Sequence, residues 1–439
     1  MSKPLKLEIL EASAEREDLL EKRWPRTKEV GPGLVDYVEG IVEKVKRQGD
    51  VALVDLTVKF DGVRLPLGGL QVRRKEIEEA YEKVDRQQIS AIESARKRIE
   101  RLERKTLKKI GFELESEGIR VQNRTFPIRS VGCYVPGGNA TYSSSLIMTT
   151  IPAKVAGVPR VVVCTPPRIG GEINPLILVA ADICGVDEVF KVGGAQAIAA
   201  LAHGTETIKP VEKIVGPGNS YVVAAKALVS KIVPIDMPAG PSEIIILADE
   251  SADARLVALD MISQAEHGTD SISIVVTTSR DLAKATKEEL EKRIASLPNR
   301  ERVIQALSRN GRLLVCEHKE KAIAFVKEFA PEHIEVMMKD WRGVAGRISS
   351  AGLILIGKYT PVSASDYCLG TNHVLPTGGF SHVFSGLSVL NFVKLVRTVE
   401  CSKRGLAKLR PHLRILAESE GLTCHALAVE ERFKAESSR

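Results

Sequence analysis

From Ile128 onward, short β-branched runs alternate with stretches of helical spacing, and this alternation constrains the fold more than any other feature of the chain. Arg160 to Cys164 reads as a buried strand, Asn174 to Cys184 as a helix, Glu188 to Val192 as a strand and Ala195 to Ala202 as a helix. Lys213 to Val215, Tyr221 to Lys231 and Glu243 to Leu247 continue as strand, helix and strand. After Pro241-Ser242 the order repeats: helix to His267, strand Ile272 to Thr277, helix Leu282 to Leu297 and strand Arg312 to Cys316. Lys319 to Phe329 and Leu353 to Ile356 close it as helix and strand. Parallel strands need crossover connections, and helices of this length supply them while covering both faces of a sheet. The expected fold class is therefore α/β, with two doubly wound Rossmann-like domains, a helical N-terminal segment and a helical C-terminal tail.

We expect residues 1–26 to form the N-terminal helical segment. Residues 27–130 and 242–387 would form a discontinuous α/β domain, 131–241 a second one carrying the glycine loops, and 388–439 the tail. At 439 residues the chain is long enough for two or three cores. The segment Gly357 to Gly386 breaks the pattern as a long polar, glycine-rich loop, and such loops inside compact α/β chains carry function.

Composition narrows the function classes. The N-terminus lacks the apolar stretch of a secretory signal, and no run approaches the roughly 18 to 20 apolar residues of a membrane span. The net charge of +7 does not point to nucleic acid, because the basic residues of 73–108 alternate with glutamates and no stacking aromatics interleave with them. Seven scattered cysteines, an odd count without a CxxC pair, suit reduced thiols in a cytoplasmic protein.

Glycine loops follow the expected strands at Tyr134-Val135-Pro136-Gly137-Gly138, Val192-Gly193-Gly194-Ala195-Gln196, Val215-Gly216-Pro217-Gly218-Asn219 and Met237 to Ser242. Open α/β sheets bind ligands at the carboxyl ends of their strands, and glycine there presents backbone N–H groups to a diphosphate. A GxGxxG fingerprint is absent, so spacing does not identify the ligand as a dinucleotide.

Three further clusters carry acid–base and metal chemistry. Gln264 and His267 stand three apart in a helical segment and can share a face. Glu332 and His333, read as the end of a helical run behind Pro331, pair a carboxylate with an imidazole that can accept protons near neutral pH. Asp366 and His373 lie in the long loop, and His425 in the tail has candidate ligands nearby. Amide, imidazole and carboxylate form a mixed N/O donor set that suits zinc, with manganese or cobalt as substitutes.

Taken in order, YVPGG, KVGGAQAIAALAHGTETI, VGPGNSYV, IDMPAGPSE, SQAEHG, APEHIEV, SDYCLGTNHVLPTGG and LSVLNFVK resemble the histidinol dehydrogenase family from about Val35 to Arg432. The resemblance implies oxidation of L-histidinol to L-histidine through the aldehyde, with two NAD and one water. It implies zinc held by Gln264, His267, Asp366 and His425, and NAD lined by Tyr134, Gln196 and Asn219. Ser242, His333, Glu420 and the zinc ligands would contact substrate, with His373 a further candidate, and Glu332 with His333 would be catalytic. A homodimer, with the tail reaching the partner's site, is implied as well. Val362, Ser365 and Cys424 depart from the residues common in the family, which puts the local loop conformation in question.

Two other readings stay open on the residues alone. A related zinc and NAD dehydrogenase could act on another small alcohol, such as a sulfonated diol, although Glu332 and Glu420 suit a cationic substrate better. A metal-dependent hydrolase would use Glu332 as base and need no dinucleotide.

Overall fold

The structure is a computed structural model, and it describes residues 4–11, 32–137, 141–237 and 240–434. Gly138, residues 238–239 of the last glycine loop and most of the expected 1–26 helical segment lie outside the described residues.

Two parallel sheets form within one compact unit made of residues 1–104 and 128–392. The larger has six strands: β1 (Ile9–Glu11), β8 (Glu243–Ala248), β9 (Ile272–Thr277), β10 (Gly311–Val315), β11 (His333–Met337) and β12 (Leu353–Ile356). They lie in the order β1-β10-β9-β8-β11-β12, every pair parallel. The smaller sheet contains β4 (Ser130–Tyr134), β5 (Arg160–Thr165), β6 (Glu188–Lys191) and β7 (Ile214–Val215), ordered β6-β5-β4-β7 and also parallel. The α/β reading and its parallel sheets are thus borne out.

Strand β8 shows why the sequence folds this way. All six of its residues are buried. Because side chains alternate across a strand, Ile244, Ile246 and Ala248 join one core while Ile245 and Leu247 join another on the opposite face. Helices Ala254–Ala265 and Arg280–Ile294 cover the first face, and Lys319–Phe329 the second. Each fully buried aliphatic side chain of this kind contributes about 1.5–3 kcal/mol. In the smaller sheet, Val162, Cys164 and Phe190 pack with residues of helices Pro32–Asp61, Gly194–His203 and Ser220–Val229.

A second unit comprises residues 105–127 and 393–439. Strands β2 (Phe112–Ser116), β3 (Ile119–Pro127) and β13 (Val393–Cys401) form an antiparallel sheet in the order β13-β3-β2. Helices Lys403–Ser419 and Thr423–Lys434 follow.

The structure corrects four sequence expectations. Residues 9–11 of the expected N-terminal helix are the edge strand β1, paired with Leu313–Val315. The tail from 388 is not wholly helical, because β13 precedes its helices, and its partner β3 is too distant in sequence for local periodicity to reveal. Glu332-His333 does not end a helix: Lys319–Phe329 stops at Ala330, which takes a left-handed φ of 47°, and His333 begins β11. Pro331 cannot continue the helix, and the buried polar residues His333 and Glu335 hide the strand from a hydropathy reading. The long segment 357–386 is also less irregular than expected, since Val362–Tyr367 is helical.

Candidate active site

Both parallel sheets open onto one cleft of about 870 Å³. The smaller sheet reaches it through the carboxyl ends of β4 and β7, with Tyr134, Gly137, Gly218 and Asn219 in the wall. The larger sheet reaches it through the amino ends of β8 and β11, where Ser242, Glu243, Glu332 and His333 lie. The cleft therefore lies at the carboxyl ends of one sheet only, the position expected of a ligand site in an open α/β sheet.

His333 sits enclosed at the amino end of β11. It is buried, and neither ring nitrogen has a hydrogen-bond partner. Its Nδ1 stands 3.7 Å from Oε2 of Glu332, farther than a hydrogen bond but close enough for strong attraction. Burial is the largest single influence and pushes the imidazole pKa down, but the Glu332 carboxylate, Asp366 and Glu243 together outweigh it, and the net shift is upward. Glu332 is itself braced, because its Oε2 accepts the backbone N–H of Glu243 at 2.8 Å. Gly378 N–H donates to Oε1 of Glu243 at 3.1 Å, so Glu243, which the sequence reading passed over, ties β8 to the loop before Phe380.

Gln264 and His267 come from the carboxyl end of helix Ala254–Ala265 and the turn after it, and Asp366 comes from helix Val362–Tyr367. All three line the same cleft. His267 Nε2 lies 3.7 Å from Asp366 Oδ2. Gln264 is buried, with its amide nitrogen lacking any partner. The Asp366 carboxylate raises the His267 pKa against burial. Burial pushes Asp366 up in turn, yet His267, His373 and His333 outweigh this and hold it below the usual carboxylate range. Two donors at contact distance beside an unsatisfied buried amide fit a metal's mixed ligand set. Among the described residues, no three His, Cys, Asp or Glu side chains gather as a metal site. The expected fourth ligand, His425, and the expected substrate contact, Glu420, belong to the second unit and are exposed there.

His373 also lines the cleft, but both its nitrogens are engaged. Nδ1 donates to the backbone carbonyl of Asp366 at 2.9 Å, which leaves Nε2 to accept from the Ser145 hydroxyl at 3.2 Å. Burial pushes its pKa down, in keeping with a neutral ring that fixes the Asp366 backbone. The departures at Val362 and Ser365 suit this helix: both are buried, Val362 N–H donates to Glu335 Oε1 at 2.5 Å, and the Ser365 hydroxyl donates to the Val362 carbonyl at 2.7 Å.

The glycine wall is held by groups that the sequence reading missed. Lys226 and Asp236 form a buried ion pair. Asp236 accepts the N–H of Gly216 at 2.8 Å, while Lys226 donates to the Gly216 carbonyl at 2.9 Å. Gly216 has a φ of 121°, and a Cβ there would collide with the Tyr134 carbonyl oxygen. A lysine set among alanines and valines in Ser220–Val229 was the available signal. Tyr134 is buried, its hydroxyl accepts from Gly194 N–H at 3.1 Å, and burial pushes its pKa up to about 12, so it stays a neutral phenol. Asn219 caps Ser220–Val229 by accepting from Tyr221 and Val222 N–H. Gln196 Oε1 is buried and unpaired. Bent backbone, a neutral phenol and an unsatisfied amide oxygen fit an extended, polar dinucleotide.

Known proteins share both the sequence and the fold. The family described as histidinol dehydrogenase matches residues 25–433. The chain is 42% identical over 420 residues to a histidinol dehydrogenase of Methanosarcina mazei, spanning 95% of this chain and 96% of that one. It is 43% identical over 400 residues to one from Listeria monocytogenes, spanning 91% and 93%. A crystal structure of histidinol dehydrogenase from Elizabethkingia anophelis superposes with a TM-score of 0.92 at 36% identity, covering 99% of both chains.

Proposed function

The chain belongs to the histidinol dehydrogenase family, and we propose that it oxidises L-histidinol to L-histidine through the aldehyde, using two NAD and one water, in the last steps of histidine biosynthesis. The observation that carries this reading is the single cleft in which Glu332-His333 meets Gln264, His267 and Asp366 across from the glycine wall. Zinc and NAD are the cofactors proposed for it. Gln264, His267 and Asp366 would hold the metal, with His425 completing the set. Tyr134, Gln196 and Asn219 would line the dinucleotide.

When bound, zinc would position the substrate's amine and imidazole, and NAD would take up hydride. The chain's own residues then divide the remaining work. His333, with both ring nitrogens unpaired, accepts the proton of the substrate hydroxyl as hydride departs. Glu332, anchored through one oxygen by Glu243 N–H, uses the other to orient and deprotonate the water that hydrates the aldehyde. His333 accepts a proton again as the hydrate loses its hydride. Ser242 and Glu420 would contact the substrate, the carboxylate favouring a cationic one. His373 would serve through the Asp366 backbone that it holds.

Homodimerisation is part of the proposal, because His425 and Glu420 would reach the site of a second copy. The second unit supports it with exposed apolar side chains on its sheet and helices, including Phe112, Leu114, Val399, Ile415 and Leu416. We place the enzyme in the cytoplasm on its cysteine pattern. No described helix is long and apolar enough to cross a membrane.

The experiment that tests the substrate is NADH production by the zinc-supplemented enzyme. Histidinol should support it and dihydroxypropanesulfonate should not; the reverse preference would move the chain to another small alcohol.

A further inference from the structure

A second cleft, of about 1010 Å³, shares Tyr134, Gly137, Tyr142 and Asn219 with the first. A dinucleotide whose reactive ring meets His333 therefore has a continuous path into it. Asp61 lines this second cleft, at the carboxyl end of helix Pro32–Asp61. The position is unfavourable for a carboxylate in two ways. The helix terminus already carries partial negative charge, and Oδ2 is buried without any hydrogen-bond partner. Burial alone pushes the Asp61 carboxyl up to about 6. An unsatisfied buried acceptor is costly to keep, and such exceptions concentrate where a ligand supplies the missing donor.

The surroundings say which donor. Tyr37, Phe60 and Tyr221 line the same cleft with exposed rings, Tyr37 and Tyr221 meeting edge to face at 6.2 Å, and they offer a flat base an apolar wall. On the other side Asp61 acts electrostatically on the Tyr134 hydroxyl, which accepts Gly194 N–H at the glycine loop suited to phosphates. Between base and phosphate a nucleotide carries its sugar. A carboxylate only accepts, and a vicinal diol supplies two donors.

Resting on the NAD reading above, we propose that Asp61 accepts the 2′- and 3′-hydroxyls of the adenosine ribose and so makes the enzyme select NAD over NADP. A 2′-phosphate would set like charges against each other beside a half-buried carboxylate. Arg168 also lines the cleft but is exposed, so solvent screens its attraction for that phosphate.

Calorimetric titration with NAD and with NADP, in the absence of histidinol, tests this on wild type, Asp61→Asn and Asp61→Ala. The wild type should bind NAD more tightly, and both variants should lose roughly tenfold or more in NAD affinity. Their NAD to NADP affinity ratio should fall toward one. The unliganded Asp61→Asn protein should also melt higher than wild type near pH 8, because an unpaired carboxylate is gone, with the gain fading toward about pH 4. Variants that keep the wild-type ratio would overturn the proposal, including variants that weaken both dinucleotides equally, as a contact to the base would. A wild type that binds no NAD would overturn the dinucleotide reading itself and this inference with it.

Discussion

The four-stranded sheet meets the candidate site's cleft with the carboxyl ends of β4 and β7, whereas the six-stranded sheet meets it with the amino ends of β8 and β11. The first wall is mostly backbone: Gly137 and Gly218 with a capping asparagine and a neutral tyrosine, stiffened from behind by the buried Lys226–Asp236 pair around Gly216. The second wall is charged and polar side chains, in which Glu332 and Asp366 raise the pKa of His333, Asp366 raises that of His267, and the histidines hold Asp366 low. The contrast teaches a division of labour. A glycine wall can bind a diphosphate without supplying groups that would interfere with proton transfer. Proton transfer needs groups whose pKa values are tuned by close neighbours, and β8 and β11 are central strands that hold such neighbours still.

Substitutions on the two walls should therefore fail differently. The largest effect is expected at Glu332→Gln, which removes the proposed base for water while sparing the glycine wall. Its kcat for histidine formation should fall by about 10²–10⁴, with NAD affinity by titration unchanged. A matching loss of NAD affinity would blur the division. Next is Lys226→Met, on the far side. It leaves Asp236 buried and unpaired, and unfolding in urea should show a loss of about 3–5 kcal/mol. A stable Lys226→Met enzyme would mean that the Gly216 loop holds its shape without the clamp.

The smallest effect concerns Asp260 and Glu335, buried carboxyls behind the side-chain wall. Burial pushes Asp260 up to about 6, and burial with the Asp260 charge pushes Glu335 well above its ordinary value. The folded state thus keeps protons that the unfolded chain releases, so their contribution to stability is fully present below about pH 4 and is lost as pH rises through about 6. Asp260→Asn supplies a permanent N–H in place of the proton that the pair is expected to share. Its melting temperature should vary less between those two pH values than the wild type's does. An unchanged slope would show that the pair does not share a proton.

Much of the scaffold was legible in the sequence because parallel strands buried on both faces read as plain β-branched runs. Val161 to Cys164 and Ile272 to Thr277 are of this kind. β11 was not legible, since His333 and Glu335 are buried polar residues that break the run. β13 alternates apolar and charged residues, is mostly exposed, and acquires its identity only by pairing with β3. For the site, sequence order brought Gln264 near His267, and the fold added Asp366 by packing a short helix beside them. What remained illegible was bracing: Glu243 under Glu332, Ser145 behind His373, and Lys226–Asp236 around Gly216. Each of these couples residues whose proximity is set by tertiary packing alone.

The central claim is that one cleft carries out both oxidations, with Glu332 supplying the water step between them. Counting NADH formed per histidinol consumed by the zinc-loaded enzyme tests this directly. Two NADH and one histidine per histidinol are predicted, and a ratio near one with aldehyde accumulating would contradict the account.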